Sequence, residues 1–509
     1  MPEVRRIITA IAVVAAAAGA VAPAAQAAAT LTVSPATAPP GTPVRATGAG
    51  FAPGQRIDVA VDRTAAQYAV TSVTGTFTVA LPLPASIRPG SHQVTAASPT
   101  GDAAGRAFTV STPWAQRGFD GRQQSFNPYE NQLTAARVAD LDEAWVADTG
   151  THSPLGQAVA AGGRVFIAAG SGKLFAYRAA CGTGGADCRP LWTAQLPHAT
   201  NAAAAPIVSG AVVFMATADG DIWGYRTSCR TDGGACTPVY KARAGGAIVG
   251  GPTLAGTRLY VGSGDGRVSA FPVSCSAMPC APVWSTEVDG PVWTQPSVVN
   301  GVVYAGTRAG TLYAFSTADC ADGDCGPLMT GSSGTGGLAG TLPVANGRVF
   351  TSGGRIAAFS TACRRMDCAP VWTAADRTTP LGGLTTAANG VFWANGEGGV
   401  GRAGQSCAKD GSACPITRFN QSVGGYQTAL TTVAADVLYA VDTAGRLSAY
   451  SPTCQPGSGL CPALWTQTAA DGGFFYSTPV VSDGTLYAGT QEGRLHAYTI
   501  AGVAAGTTP

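Results

Sequence analysis

Seven phrases bracketed by cysteine pairs recur along this chain: CGTGGADCRPLW, CRTDGGACTPVY, CSAMPCAPVW, CADGDCGPLM, CRRMDCAPVW, CAKDGSACPITR and CQPGSGLCPALW. Their first cysteines stand at 181, 229, 275, 320, 363, 407 and 454, a spacing in the mid-forties. A repeat of that length suits one four-stranded propeller blade, a unit that buries its apolar faces only by stacking on its neighbours. Each unit parses accordingly: AAPIVSG as an inner strand, AVVFMAT, a turn ADGD, IWGYRTS, the cysteine loop, then PVYKARA. The second strands RVFIAAG, AVVFMAT, RLYVGSG, VVYAGTR, RVFTSGG, VFWANGE, VLYAVDT and TLYAGTQ number eight, one more than the cysteine loops.

The mismatch predicts how the ring closes. The last repeat, TPVVSDGTLYAGTQEGRLHAYTI, ends near Ile500 without a cysteine loop or a tryptophan strand, whereas ADLDEAWVADTG near the start supplies an unclaimed strand around Trp145. Pairing that strand with the last three removes every sheet edge. Only seven blades then keep a continuous link between third and fourth strands, and seven cysteine loops result.

Gaps of four or six residues are hairpin length, and facing positions in an antiparallel ladder lie within disulfide reach. The expected bridges are Cys181 with Cys188, Cys229 with Cys236, Cys275 with Cys280, Cys320 with Cys325, Cys363 with Cys368, Cys407 with Cys414, and Cys454 with Cys461. Zinc ligation would bring closer spacing or added histidines, and redox catalysis would favour a two-residue gap. Four positions after the second cysteine stand Trp192, Trp284, Trp372 and Trp465, with Tyr240 and Met329 in two units and Arg418 in the sixth, which should be the least regular. Flat side chains there pack between blades.

Arg5 and Arg6, an apolar run from Ile7 to about Ala22 and AQA at Ala25 to Ala27 read as a secretory signal over 1–27, so a secreted protein without membrane insertion after cleavage is expected. An oxidising destination agrees with an even cysteine count. The 31 Lys and Arg against 29 Asp and Glu leave a net charge of +2, no footprint for nucleic acid. Between them, 30–111 alternate as short strands broken by turns, 112–138 read as a linker, 139–500 as the propeller and 501–509 as a disordered tail.

GAGFAPGQRIDVAV followed by GTFTVALPLP resembles bacterial immunoglobulin-like modules, which space or adhere. Units such as RLYVGSGDGRVSAF, with FNPYENQLT and VADLDEAW ahead of them, resemble the quinoprotein-type propellers of the pyrroloquinoline quinone repeat family. The resemblance implies an all-β chain: an immunoglobulin-like β-sandwich, then an eight-bladed β-propeller with N-/C-terminal strand closure and seven intra-blade disulfides. Family enzymes bind pyrroloquinoline quinone with calcium beside a carboxylate base, and many carry a disulfide between adjacent cysteines. This sequence has no Cys-Cys pair, cysteine loops replace the usual D-x-x-T-G-K turn, and no calcium ligand aligns. Non-enzymatic relatives include the scaffold lipoprotein of outer-membrane barrel assembly, whose lipid-anchor cysteine is missing here.

No other motif carries chemistry. GSGDGR at Gly262 to Arg267 lacks a following helix and reads as a hairpin turn, ADGD at Ala218 to Asp221 is too short for a calcium loop, and His152 and His198 lack a third ligand. The expectation is a monomeric binding or scaffold protein, not an enzyme, with no cofactor. Its partner would be a protein or glycan; a divergent quinoprotein dehydrogenase or carbohydrate-active propeller is the alternative. Loops leading into the inner strands gather on the face opposite the cysteines, and there DGPVWTQP, GGYQTAL and GGFFYSTP place Trp293, Tyr426, Phe474, Phe475 and Tyr476 as candidate ligand contacts.

Overall fold

The computed structural model describes residues 28–501 except 182–187, 201–204, 319–324, 333, 335, 375–379, 389, 396–398, 408–413, 420–430, 442–443, 456–458 and 470–471. The expected signal at 1–27, Tyr426, and all of the tail but residue 501 lie outside the described residues. Regular structure among them is all strand, apart from one 3-10 turn at Val138–Asp140.

The N-terminal strands form two sheets. Thr30–Ser34, Pro43–Ala49 and Phe77–Pro82 make the first; Thr37–Ala38, Ala103–Val110, Gly90–Ala97, Arg56–Val61 and Thr64–Val70 make the second. Burial alternates residue by residue along Pro43–Ala49 and Arg56–Val61, the period of a strand with one face in a core. Phe51 and Phe77 meet edge to face at 5.4 Å inside it. Gly48 makes room for the Phe77 ring, since a Cβ there would lie 2.1 Å from its Cε1.

From Leu141 onward the described strands make eight four-stranded antiparallel sheets, here A to H, and one short parallel pair, Thr294–Gln295 with Gly340–Thr341. Sheet A pairs Leu141–Asp148 with Arg494–Ile500, Thr485–Gly489 and Val480–Ser482, so its outermost strand comes from the front of the chain. Trp145 faces Ala497 in that pairing. Sheet B holds Val159–Ala161, Arg164–Ala168, Lys173–Arg178 and Trp192–Gln195; sheet C holds Ile207–Ser209, Val212–Ala216, Asp221–Arg226 and Tyr240–Arg243. D runs Thr253–Ala255, Arg258–Ser263, Arg267–Pro272, Trp284–Glu287, and E runs Ser297–Val299, Val302–Gly306, Thr311–Ser316, Met329–Ser332. F comprises Val344–Ala345, Arg348–Ser352, Ile356–Ser360 and Trp372–Ala374. G comprises Pro380–Ala387, Gly390–Asn395, Val400–Gly404 and Thr417–Arg418, the last only two residues long in the unit that Arg418 marks as irregular. H comprises Thr432–Ala434, Val437–Val441, Arg446–Tyr450 and Ala463–Thr468, with Phe126–Asn127 added beside its first strand.

Each sheet packs on the next through its own apolar cluster, and the last packs on the first. Trp145, Tyr177 and Tyr487 join A to B, while Tyr439, Leu486 and Tyr498 join H to A. Six further clusters fill the intervening junctions. Burial on both faces is why second strands such as VVFMA and LYVGS read as continuous apolar runs rather than alternating ones. Sheets stacked face to face in a closed succession are the architecture of a β-propeller.

One row of side chains recurs across the sheets. A ring on the second strand and a large residue on the fourth flank a small residue on the third: Phe166, Ala176, Trp192; Phe214, Gly224, Tyr240; Tyr260, Ala270, Trp284; Phe350, Ala358, Trp372. The small middle residue lets the two rings approach to between 4.9 Å for Phe214 with Tyr240 and 6.2 Å for Tyr260 with Trp284. In sheet G, Arg402 holds the middle slot beside Phe392, and burial lowers the pKa of its guanidinium. The fourth-strand ring also ties its sheet to the next: Trp192 donates to Thr227 O, Tyr240 to Pro272 O, Trp372 to Gln405 O, Trp465 to Leu141 O and Trp145 to Ala179 O. Trp145 thus does in sheet A what the tryptophans after the cysteine loops do elsewhere.

Toward the first strands, hydroxyls replace rings as links. Thr253 of sheet D donates to Pro296 O, Ser297 of E to Leu342 O, Thr385 of G to Thr431 O and Thr432 of H to Pro479 O. Proline at 343 breaks the series in sheet F, and Thr341 two residues earlier makes the bond instead, to Leu384 O at 2.9 Å.

Six bridges join the expected partners, Cys181–Cys188, Cys229–Cys236, Cys275–Cys280, Cys363–Cys368, Cys407–Cys414 and Cys454–Cys461, with Cα separations of 5.7 to 6.5 Å. Cys325 is also disulfide-bonded, and its expected partner Cys320 lies outside the described residues. Each of the six described bridges sits between the third and fourth strands of one sheet.

Candidate functional site: the propeller axis and its two faces

The segment read as a linker is hydrogen-bonded to the first strand of every sheet. Trp114 exchanges two backbone bonds with Ala160, and Ala115 O accepts from Val208 N. The Gln116 amide brackets Leu254, accepting from its N–H and donating to its carbonyl. Gly121 O, Arg122 O, Gln124 O and Ser125 O accept from the N–H groups of Val298, Val344, Thr386 and Val433 in turn, and Asn127 Nδ2 donates to Val481 O. These eight stations, 160, 208, 254, 298, 344, 386, 433 and 481, are register equivalents, each facing the residue five positions later. The contacts follow chain order once around the axis.

The segment lies toward the disulfide face, for it also holds the turns between first and second strands. Asp483 accepts from the Ser111 hydroxyl and from Thr112, and Asp436 Oδ1 accepts from Ala135 N. Glu130 is buried, taking the N–H groups of Asn131, Gln132 and Leu133 on Oε1 and that of Gly484 on Oε2. Burial raises the carboxyls of Glu130 and Asp483 despite these bonds. Arg117, also buried, donates to Gly250 O, and desolvation pulls its guanidinium down to about 10. FNPYENQLT was legible as a motif ahead of the repeats; its placement across the axis was not, because its partners are backbone groups.

None of the eight first strands carries a charged residue, and the polar side chains buried beside them are amides and hydroxyls, with Arg117 and Glu130 of the crossing segment the charged exceptions among the described residues. Both polar atoms of the Gln157 amide, Gln295 Oε1, and the hydroxyls of Thr386 and Thr431 have no partner among the described residues. Such neutral groups can hydrogen-bond water or a neutral polar ligand. A quinone cofactor held with calcium calls for carboxylate and cationic donors, and the described first-strand positions do not fit it. Among the described residues no group of three His, Cys, Asp or Glu could hold a metal ion.

On the face opposite the disulfides, the proposed ligand aromatics part company. Trp293 is 37% exposed, and Arg308 covers its ring with Cζ 4.5 Å from the centroid. Asp289, on the same loop, accepts from the Thr311 hydroxyl. Phe474 is 48% exposed, its backbone N–H donates to Glu492 Oε2, and its ring rests on Gly445. Phe475 is 2% exposed and packs edge to face on His496 and Tyr498, so its ring belongs to the junction of H and A. Tyr476 is half-buried. His198 pairs with Asp219 of the ADGD turn at 3.2 Å, whereas His152 borders a 140 Å³ cleft with Asp148, Glu492 and Arg494. GSGDGR forms the hairpin turn between the second and third strands of sheet D.

A family sequence model described as outer membrane protein assembly factor BamB matches residues 130–233 and 230–502. No curated protein gives a match. Among solved structures, BamB from Moraxella catarrhalis is similar at 14% identity and TM-score 0.52, over 72% of this chain and 99% of that one. A europium-containing methanol dehydrogenase gives 10% identity and TM-score 0.54 over 76% and 98%. Quinohemoprotein alcohol dehydrogenase from Comamonas testosteroni gives 11% and 0.54 over 78% and 81%. At such identities the likeness speaks for the fold alone.

Proposed function

Because this chain belongs to the repeat family described as outer membrane protein assembly factor BamB, we propose that it is an exported, non-catalytic binding or scaffold protein. In this reading the eight sheets are the blades of one closed propeller, the N-terminal sheets are an immunoglobulin-like module, and the face opposite the disulfides meets a protein or glycan. The observation that carries it is the uncharged character of all eight first strands: among the described residues they bring no carboxylate, histidine or amine to the axis, and the buried ions of the crossing segment, Arg117 and Glu130, are engaged by backbone groups of the fold. The disulfide-face end is crossed by the chain's own segment, which leaves the opposite face for a ligand.

Trp293 with Arg308, Asp289 and Thr311, and separately Phe474, supply exposed rings beside polar groups on that face. Such mixtures suit sugar rings or peptide side chains. Screening the purified protein against glycan and periplasmic or extracellular protein panels tests this. Trp293→Ala combined with Phe474→Ala should lower affinity for any hit at least tenfold with an unchanged melt. Undiminished binding would place the site elsewhere. The quinoprotein dehydrogenase reading makes an opposing prediction: adding pyrroloquinoline quinone and calcium would produce a bound-cofactor absorbance band and dye reduction with alcohols or sugars. Either signal would overturn the non-catalytic reading.

A further inference from the structure

A cleft of about 310 Å³ opens on the disulfide face between sheets E and F. Arg122 and Gln124 of the axial segment form one wall, Asn300 and Asn346 in the turns of the two sheets form two more, and Thr361 with Arg364 closes the fourth. Tyr304 lines the cleft from the second strand of E.

Its charge is one-sided. Two guanidiniums line it and no carboxylate does. The nearest acid on the axial segment, Asp120, turns its Oδ1 onto the Arg122 backbone N–H at 2.8 Å. Arg364, though exposed, is held in place: its Nη1 donates to Thr361 O and to Cys363 O, carbonyls of the loop held by the Cys363–Cys368 bridge. Arg122 is exposed, and among the described residues its guanidinium makes no hydrogen bond, although the Asp120 carboxylate attracts it. Gln124 is already committed, donating to Val344 O, and Asn346 donates to Gln405 Oε1. One cation is therefore preset and the other can close toward it, with Asn300, whose side chain has no partner among the described residues, also lining the cleft.

We propose that this cleft binds an oxyanion, the carboxylate or phosphate of a small ligand, between the fixed guanidinium of Arg364 and the closing guanidinium of Arg122. Planar guanidinium forks match both groups in geometry and charge, and a volume near 300 Å³ is that of a small-ligand site. Fixing Arg122 costs side-chain entropy, so the binding should be modest and salt-sensitive.

Calorimetric titration of the full chain with malonate, with inorganic phosphate and with neutral malonamide, at constant ionic strength, tests the proposal. Saturable binding of malonate or phosphate but not malonamide is expected, weakened at least tenfold by Arg122→Gln and by Arg364→Gln, and less by Arg364→Lys, which keeps the charge but not the fork. Preference for malonate assigns a carboxylate ligand, and preference for phosphate a phosphorylated one. No saturable binding of either anion, equal binding of malonamide, or an Arg122→Gln variant that titrates like the parent would overturn it. The Arg122 side chain makes no hydrogen bond among the described residues, and its backbone bonds survive substitution, so its variant reports on the cleft even if the Arg364 variants fold poorly.

Discussion

Trp284 and Trp372 stand at the same place in two repeats, both 1% exposed, yet only Trp372 finds an acceptor for its indole N–H. Replacing a buried donor that has a partner strands the acceptor, at about 1–3 kcal/mol. Trp372→Phe should therefore lower stability more than Trp284→Phe by roughly that amount, measured by denaturant melts; equal losses would show that packing alone fixes these rings. Glu130 makes a second prediction. Its buried carboxyl holds a proton more tightly in the fold than in the unfolded chain, since its pKa is raised from 4.5. That contribution is full below the ordinary value and is lost as pH rises through the raised one. Melting temperature should fall as pH climbs from about 4 to 7, with Asp483 adding in the same direction. Glu130→Gln should flatten the slope, and an unchanged slope would assign it to other groups.

At the scale of the strand and hairpin, the aromatic, small, aromatic rows explain why third strands carry Ala or Gly where second strands carry rings. Ala358→Leu would force side chains into the space shared by Phe350 and Trp372, at about 1–3 kcal/mol or more. The Cys363–Cys368 loop is short, so Cys363→Ala with Cys368→Ala should cost only about 2 kcal/mol and leave the fold standing, as circular dichroism and a melt would show. Strands, hairpin bridges and the Trp145 strand were legible in the sequence because each follows a period: two within strands, the mid-forties between repeats. Candidate contacts were less legible. Phe474 and Phe475 are neighbours of one chemical kind, and which of them points inward depends on where the loop meets Gly445, a contact far along the chain. Residues 112–127 were illegible for another reason: they answer to carbonyls and amides of other strands, which leave no mark on residue type.

Across the whole molecule, closure depends on segments from both ends of the repeats. Removing Ala139 to Asp148 would strip the outermost strand from sheet A and bare the edge of Arg494–Ile500. The truncated protein should aggregate or lose its single cooperative transition in calorimetry, and an intact melt would show that the succession of sheets stands without it. The axial segment imposes a different restriction. Repeat proteins ordinarily change length by duplicating or dropping a unit, because each unit contacts only its neighbours. Here one stretch of chain has a fixed number of stations, one per sheet, spent between Trp114 and Asn127. A duplicated unit would find no station and a lost one would leave a station empty, so the segment acts as a ruler that counts repeats and penalises any change in their number.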